Sequence, residues 1–154
     1  MYKNKTTVLY LDDEPANLKA FTANFRRDYH VLTAQCIEDA FDVIENHEVS
    51  VVVSDHKMPH ITGIEFFETL SKAYPNIVRV LLTGCSEVNT VLSAVNKAQI
   101  FRYLCKPMDA KEMGKTIVQA QNKYVKNIDS EKEVHHLQQA NKKLEFMLRQ
   151  RLIS

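Results

Sequence analysis

The sequence has no excess charge of either sign, no apolar run long enough to cross a bilayer, and no paired cysteine spacing. Twenty Lys and Arg stand against 19 Asp and Glu, a formal charge of +1. That balance leaves no basic face of the kind that holds nucleic acid phosphates, so direct DNA or RNA binding by this chain is not expected. No stretch approaches the roughly 18 to 20 apolar residues of a membrane span, and Met1 to Thr6 is polar, without the apolar segment of a secretion signal. The expected location is therefore cytoplasmic, with no membrane partner. Cys36, Cys85 and Cys105 are odd in number and lack zinc-site spacing, so reduced, buried thiols are expected. What remains is ordinary: 154 residues, 45% hydrophobic and 25% charged, enough for about one globular domain with a proper core.

Four short apolar runs each end on a reactive polar side chain. Val8 to Leu11 leads into Asp12, Asp13 and Glu14, Val51 to Ser54 into Asp55, Val80 to Leu82 into Thr83, and Phe101 to Cys105 into Lys106. Between the runs, apolar residues recur at three- and four-residue spacing, the pattern of βα units on a parallel sheet, and five such units fit. Pro15 suits the first turn of a helix with an apolar face of Leu18, Phe21 and Phe25, ending near Asp28. Val31 to Ala34 reads as the second strand, and Ile37, Ala40, Phe41 and Ile44 mark the second helix. Val51 to Val53 is an unbroken apolar run, expected to be the most buried strand. Met58, Pro59 and Gly63 punctuate a loop before a helix with Ile64, Phe67 and Leu70; Pro75 stops it ahead of a strand over Val78 to Leu82. A fourth helix carries Val88, Leu92 and Val95, the strand Ile100 to Cys105 follows, and a long helix begins near Asp109.

If the runs form one sheet, their polar ends meet at its carboxyl edge, where open α/β sheets place ligands. Two like charges ~4 Å apart repel by about 4 kcal/mol at an effective dielectric of ~20, so Asp12, Asp13 and Asp55 held together favour a proton or a cation. Mg2+ takes oxygen ligands and typically binds through one or two carboxylates plus a phosphate. Asp55 can then act as a carboxylate nucleophile toward phosphorus. The Thr83 hydroxyl and the Lys106 ammonium can each stabilise a phosphoryl oxygen. Taken singly, each residue has a plainer reading: an Asp at a strand end is ordinarily a helix N-cap, a Thr there satisfies local backbone, and a Lys before Pro is a solvated surface residue. Their coincidence at four strand ends points instead to a cation and phosphoryl site.

With the acidic cluster Asp12-Asp13-Glu14, the stretch Asp55-His56-Lys57-Met58-Pro59 with Gly63 beyond it, Thr83-Gly84, and Lys106-Pro107, the chain resembles the receiver domain of two-component response regulators from about Thr7 to Lys126. The resemblance implies an α/β fold: a doubly wound five-stranded parallel sheet of order 2-1-3-4-5 with helices on both faces. It implies that Asp55 accepts a phosphoryl group from a phosphohistidine on a sensor histidine kinase or phosphotransfer protein. Asp13 and Asp55 would ligate Mg2+ directly, Asp12 through water, and the backbone carbonyl of Lys57 would complete the protein ligands. Thr83 and Lys106 would bind the phosphoryl oxygens, and Tyr103 would rotate inward as Thr83 moves toward the phosphate. The chain would be a phosphorelay switch that assists its own phosphorylation and dephosphorylation rather than an enzyme acting on external substrates; the competing reading is a receiver-like scaffold or dimerisation module that takes no phosphate. Lys57 adds a cation beside the metal site, where it can pair with Glu14 or alter water attack.

Residues 127–154 form the other informative region. Val134, Leu137, Asn141, Leu144 and Leu148 follow an a/d heptad without Gly or Pro, although Arg151 occupies a d position. Asn at an a position favours a parallel, in-register pair. The expected organisation is a receiver domain over 1–126 and a helical linker or short coiled coil over 127–154, able to form a homodimer and leading to an output domain beyond it. The stretches around Thr83 and before Lys106 also resemble receivers joined to cyclic-di-GMP phosphodiesterase domains of the HD-GYP kind.

Overall fold

The computed structural model describes residues 5–153. Strands β1 (Thr7–Leu11), β2 (His30–Ala34), β3 (Val51–Asp55), β4 (Val78–Thr83) and β5 (Arg102–Cys105) alternate with helices α1 (Pro15–Phe25), α2 (Ile37–Asn46), α3 (Gly63–Ala73), α4 (Val88–Ala98) and α5 (Ala110–Ile153). The strands are all parallel, in the order β2-β1-β3-β4-β5, which is the doubly wound arrangement expected from the sequence. The chain divides into two compact units between Tyr124 and Val125. Among the described residues, no helix is long and apolar enough to cross a membrane.

Strand alternation sorts the apolar residues into two layers, since successive side chains point to opposite faces. Leu9, Leu11, Val52 and Leu81 pack on one face against α2, α3 and α4, with Ala40, Ile44, Phe66, Phe67, Leu70 and Val91 among the buried residues. Val8, Tyr10, Val51, Val53, Val80 and Leu82 face the other way, against Leu18, Phe21 and Phe25 of α1 and Met113, Ile117 and Ala120 of α5. A sheet covered on both faces requires apolar residues at every position, and β3 is buried along its whole length. It shares that distinction with β4, where Arg79 is buried too. The Arg79 guanidinium donates to the carbonyls of Ile77 at 2.7 Å and Gln99 at 3.0 Å, which is how a cation is accommodated in a central strand. Burial lowers its pKa from the ordinary value.

Local chemistry sets the element ends. Pro15 opens α1 as expected, but the helix ends at Phe25, and the Asp28 and Tyr29 amides turn back onto the Phe25 carbonyl. Thr62 caps α3 by accepting from the Glu65 amide at 3.2 Å. Asp109 caps α5, its Oδ1 accepting from the Lys111 amide at 2.8 Å. β5 starts two residues later than its apolar run, because the Ile100 amide closes α4 on the Val95 carbonyl, with Gln99 in the left-handed region at φ 50°. The inward face of α4 is Val91, Val95 and Ala98, while Leu92 is 54% exposed. Leu92 sits roughly 100° around the helix from the centre of that stripe, so spacing alone placed it on the wrong face. Phe66, which the apolar spacing passed over, is fully buried and meets Phe41 of α2 edge-on at 5.5 Å. The thiols also depart from expectation: Cys36 and Cys85 are exposed and Cys105 is half-buried. They lie in the connections and at the edge strand, outside both apolar layers.

Gly63 shows how tightly α3 docks under β3. A Cβ built there would lie 2.7 Å from the Asp55 carbonyl oxygen and 2.7 Å from Leu81 Cδ1. Gly63→Ala is expected to lower unfolding stability by about 2 kcal/mol through this overpacking, read as a lower urea midpoint at unchanged slope.

Candidate functional site

The register of the sheet carries four strand ends to one edge. Leu11 pairs with Ala34 on one side and Ser54 on the other, Asp55 pairs with Leu82, and Thr83 with Cys105. Backbone bonds then continue the ladder one step past the strands: the Asp12 amide donates to the Ala34 carbonyl at 3.1 Å, His56 to Leu82 at 2.9 Å, and Lys106 to Thr83 at 2.8 Å. These bonds hold Asp12, Asp55, Thr83 and Lys106 as neighbours although they are scattered along the chain.

Asp12, Asp13 and Asp55 each present one carboxylate oxygen within 4.8 Å of the other two. Asp12 is fully buried, and its oxygens are well occupied. Oδ1 accepts from the Glu14 amide at 2.9 Å, and Oδ2 accepts from Tyr10 Oη at 2.8 Å and Asn17 Nδ2 at 3.0 Å. Tyr10 and Asn17 are site residues that the sequence reading missed. The signal for Tyr10 was present: it lies two residues before Asp12, hence on the same side of an extended chain. Its ring stacks on Phe21 at 4.4 Å between centroids, and burial, followed by the bond to Asp12, raises its pKa.

Asp55 is nearly buried, and Lys106 Nζ lies 2.7 Å from its Oδ1. Burial pushes the Asp55 carboxyl above the usual carboxylate range; the Lys106 hydrogen bond and charge oppose this, and Asp12 and Asp13 add to it. The cluster thus holds more negative charge than its own ammonium offsets. Its donors are all oxygen and carry like charge, a set that fits a hard divalent cation and not a soft one.

Thr83 is buried at the end of β4, and its hydroxyl donates to Glu87 Oε2 at 3.1 Å. Lys57 pairs with Glu87 Oε1 at 3.4 Å rather than with Glu14, because the turn Cys85–Glu87 brings that carboxylate across to the connection after β3. Glu87 was not singled out by the sequence; four residues past Thr83, nothing in the local pattern marks it. Tyr103 is half-buried on the edge strand, opposite Leu81 in register, and packs against the layer holding α3 and α4. Cys85 and Cys105 adjoin the site, with Cys85 Sγ 3.9 Å from the Lys106 carbonyl; hydrogen bonding with Cys85 is the main reason the Cys105 thiol is pushed up.

The sequence model of the response regulator receiver domain matches residues 8–118. The chain belongs to this family. The receiver is 31% identical over 120 residues to the hydrogenase transcriptional regulatory protein HoxA of Cupriavidus necator, a match covering 78% of this chain and 25% of that protein. It spans about a quarter of the length of the curated relatives it matches first. Among solved structures it resembles one described as adenylate cyclase from Rhodopirellula baltica, with 27% identity and a TM-score of 0.80, covering 85% of this chain and 98% of that one. It also resembles the beryllofluoride-activated NtrC4 receiver domain dimer, with 28% identity and a TM-score of 0.70, covering 77% and 98%. Receivers are signalling switches of two-component systems and are not classed as enzymes.

Removing one like charge tests the electrostatics of the cluster. Asp13→Asn is expected to raise the melting midpoint in EDTA by about 3 °C, which corresponds to about 1 kcal/mol after solvent screening. Any further rise in the midpoint of the parent protein on addition of millimolar Mg2+ is expected to be abolished by the same substitution. A midpoint that falls in EDTA would count against carboxylate repulsion at the site.

Proposed function

We propose that this receiver accepts a phosphoryl group on Asp55 from the phosphohistidine of a sensor histidine kinase or phosphotransfer protein, and acts as a Mg2+-dependent conformational switch. The observation that carries the reading is the close Lys106 to Asp55 pairing beside two further carboxylates. In the transfer, the phosphorus-nitrogen bond of the donor breaks as a bond from Asp55 to phosphorus forms, and the lone pair returns to the imidazole. Lys106 can turn from the carboxylate to a phosphoryl oxygen, keeping an ammonium beside the charge that is transferred.

Asp13 and Asp55 would hold Mg2+ directly, with Asp12 acting through water and the Lys57 carbonyl completing the protein ligands. The occupation of Asp12 by Tyr10, Asn17 and the Glu14 amide suits this outer role, because both of its oxygens already accept hydrogen bonds. When bound, the cation would neutralise charge on the transferring oxygens. Thr83 would supply a hydroxyl to the phosphoryl group, and Tyr103, half-buried beside β4, would follow it inward.

The second part of the reading concerns residues 127–154. Val134, Leu137, Leu144 and Leu148 are each more than half exposed, a stripe that a second copy would cover in a parallel coiled coil with Asn141 paired to Asn141. The dimer named for the activated NtrC4 receiver supports pairing of such domains. Through this helix, phosphorylation would reach an output segment.

Intact mass after incubation with Mg2+ and acetyl phosphate is the direct test: the parent is expected to gain one phosphoryl group and Asp55→Asn none. No gain across several donors would turn the reading toward a scaffold with a silent site. Light scattering on the eluting protein is expected to show a dimer in the parent and a monomer in Leu137→Glu/Leu144→Glu, while phosphoryl uptake persists in both.

A further inference from the structure

Thr83 is the one candidate phosphoryl-binding group whose proton is already committed to a side chain outside the Asp55 cluster. Its Oγ1 donates to Glu87 Oε2 at 3.1 Å, with a longer approach of 3.4 Å to the Gly84 carbonyl. A hydroxyl carries a single proton, so Thr83 can donate either to Glu87 or to a phosphoryl oxygen, and not fully to both. The Glu87 carboxylate has further neighbours. Its amide donates to the Gly84 carbonyl at 3.0 Å, closing the turn Cys85–Glu87; Lys57 Nζ lies 3.4 Å from Oε1, and His56 Nε2 lies 4.0 Å from Oε2. The carboxylate thus joins the connection after β3 to the connection after β4, and does so through the two residues that follow Asp55.

We propose that Glu87 is a positioning residue that clasps the Thr83 hydroxyl and thereby opposes the phosphorylated conformation. This rests on the reading of Asp55 as phosphoacceptor and goes beyond it by naming what the switch must break. For Thr83 to reach a phosphoryl oxygen, the bond to Glu87 has to be given up, and the carboxylate must then be left to Lys57, His56 and water. A charge-assisted hydrogen bond at a partly buried site shifts such an equilibrium by roughly tenfold. Glu87 also places a negative charge near an incoming dianion, which works in the same direction but does not depend on Thr83. The two contributions separate in a double-mutant cycle.

The test is Mg2+-dependent binding of beryllofluoride, a stand-in for the phosphoryl group, to the full chain and to Glu87→Ala, Thr83→Ala and the double variant, with acetyl phosphate uptake measured in parallel. Glu87→Ala is expected to bind about tenfold more tightly than the parent and to be phosphorylated to a higher steady level. In the Thr83→Ala background the same substitution is expected to change binding by no more than about twofold, the residue of the charge effect. Glu87→Gln, which keeps the side-chain shape and a weaker acceptor, should give an intermediate gain, and carries the test on the same criteria if the alanine variant folds poorly. Unchanged or weaker binding in the glutamate variants overturns the clasp, as does a gain that persists in full without the Thr83 hydroxyl. A parent protein that takes neither beryllofluoride nor phosphoryl overturns the phosphoacceptor reading and the clasp with it, whereas a parent that takes both while the variants show no gain overturns the clasp alone.

Discussion

Confinement of like charge at the carboxyl edge of the sheet is the constraint on which the site depends. Three carboxylate oxygens lie within 4.8 Å of one another, and backbone bonds that continue the parallel ladder past the strand ends keep Asp12 and Asp55 side by side. The surroundings answer this charge unequally. Asp12 receives three hydrogen-bond donors, Asp55 receives the Lys106 ammonium, and Asp13 is left the most accessible of the three. An edge arranged in this way favours a cation.

Rigidity and mobility are divided accordingly. Asp55 and Thr83 end strands buried along their whole length, with the Gly63 close approach locking the carbonyl of Asp55 against α3. The groups able to change partners are held less firmly: a lysine on a long flexible stem at the edge of the site, a hydroxyl that rotates about one bond, and a glutamate in a single turn of helix. Under the proposed reading, changes at the site would pass first to the connections after β3 and β4.

Parts of this were legible in the residues because they follow from short-range rules. β-Branched runs, Pro15, Pro75 and Gly63 mark where elements start and stop, and alternation or helical spacing marks Leu18, Phe21, Phe25, Ile64, Phe67 and Leu70 as inward. The misses share a cause. Leu92 and Phe66 depend on which neighbouring helix a face meets, the β5 start depends on how α4 is capped, and the cysteines depend on how far the connections lie from the core. None of these can be read from a window of a few residues.

The sequence by itself determined the alternation of strand and helix, the two-sided burial of the central strands, and the placing of Asp12, Asp55, Thr83 and Lys106 at strand ends, since each of these is encoded by periodicity or by a residue's position after an apolar run. Only the tertiary structure decided that Tyr10 and Asn17 occupy Asp12, that Lys57 turns to Glu87 rather than Glu14, and that Glu87 holds the Thr83 hydroxyl. Hydrogen bonds and ion pairs are settled over a few ångströms of space, and the sheet brings within that range residues whose separation in the chain carries no record of it.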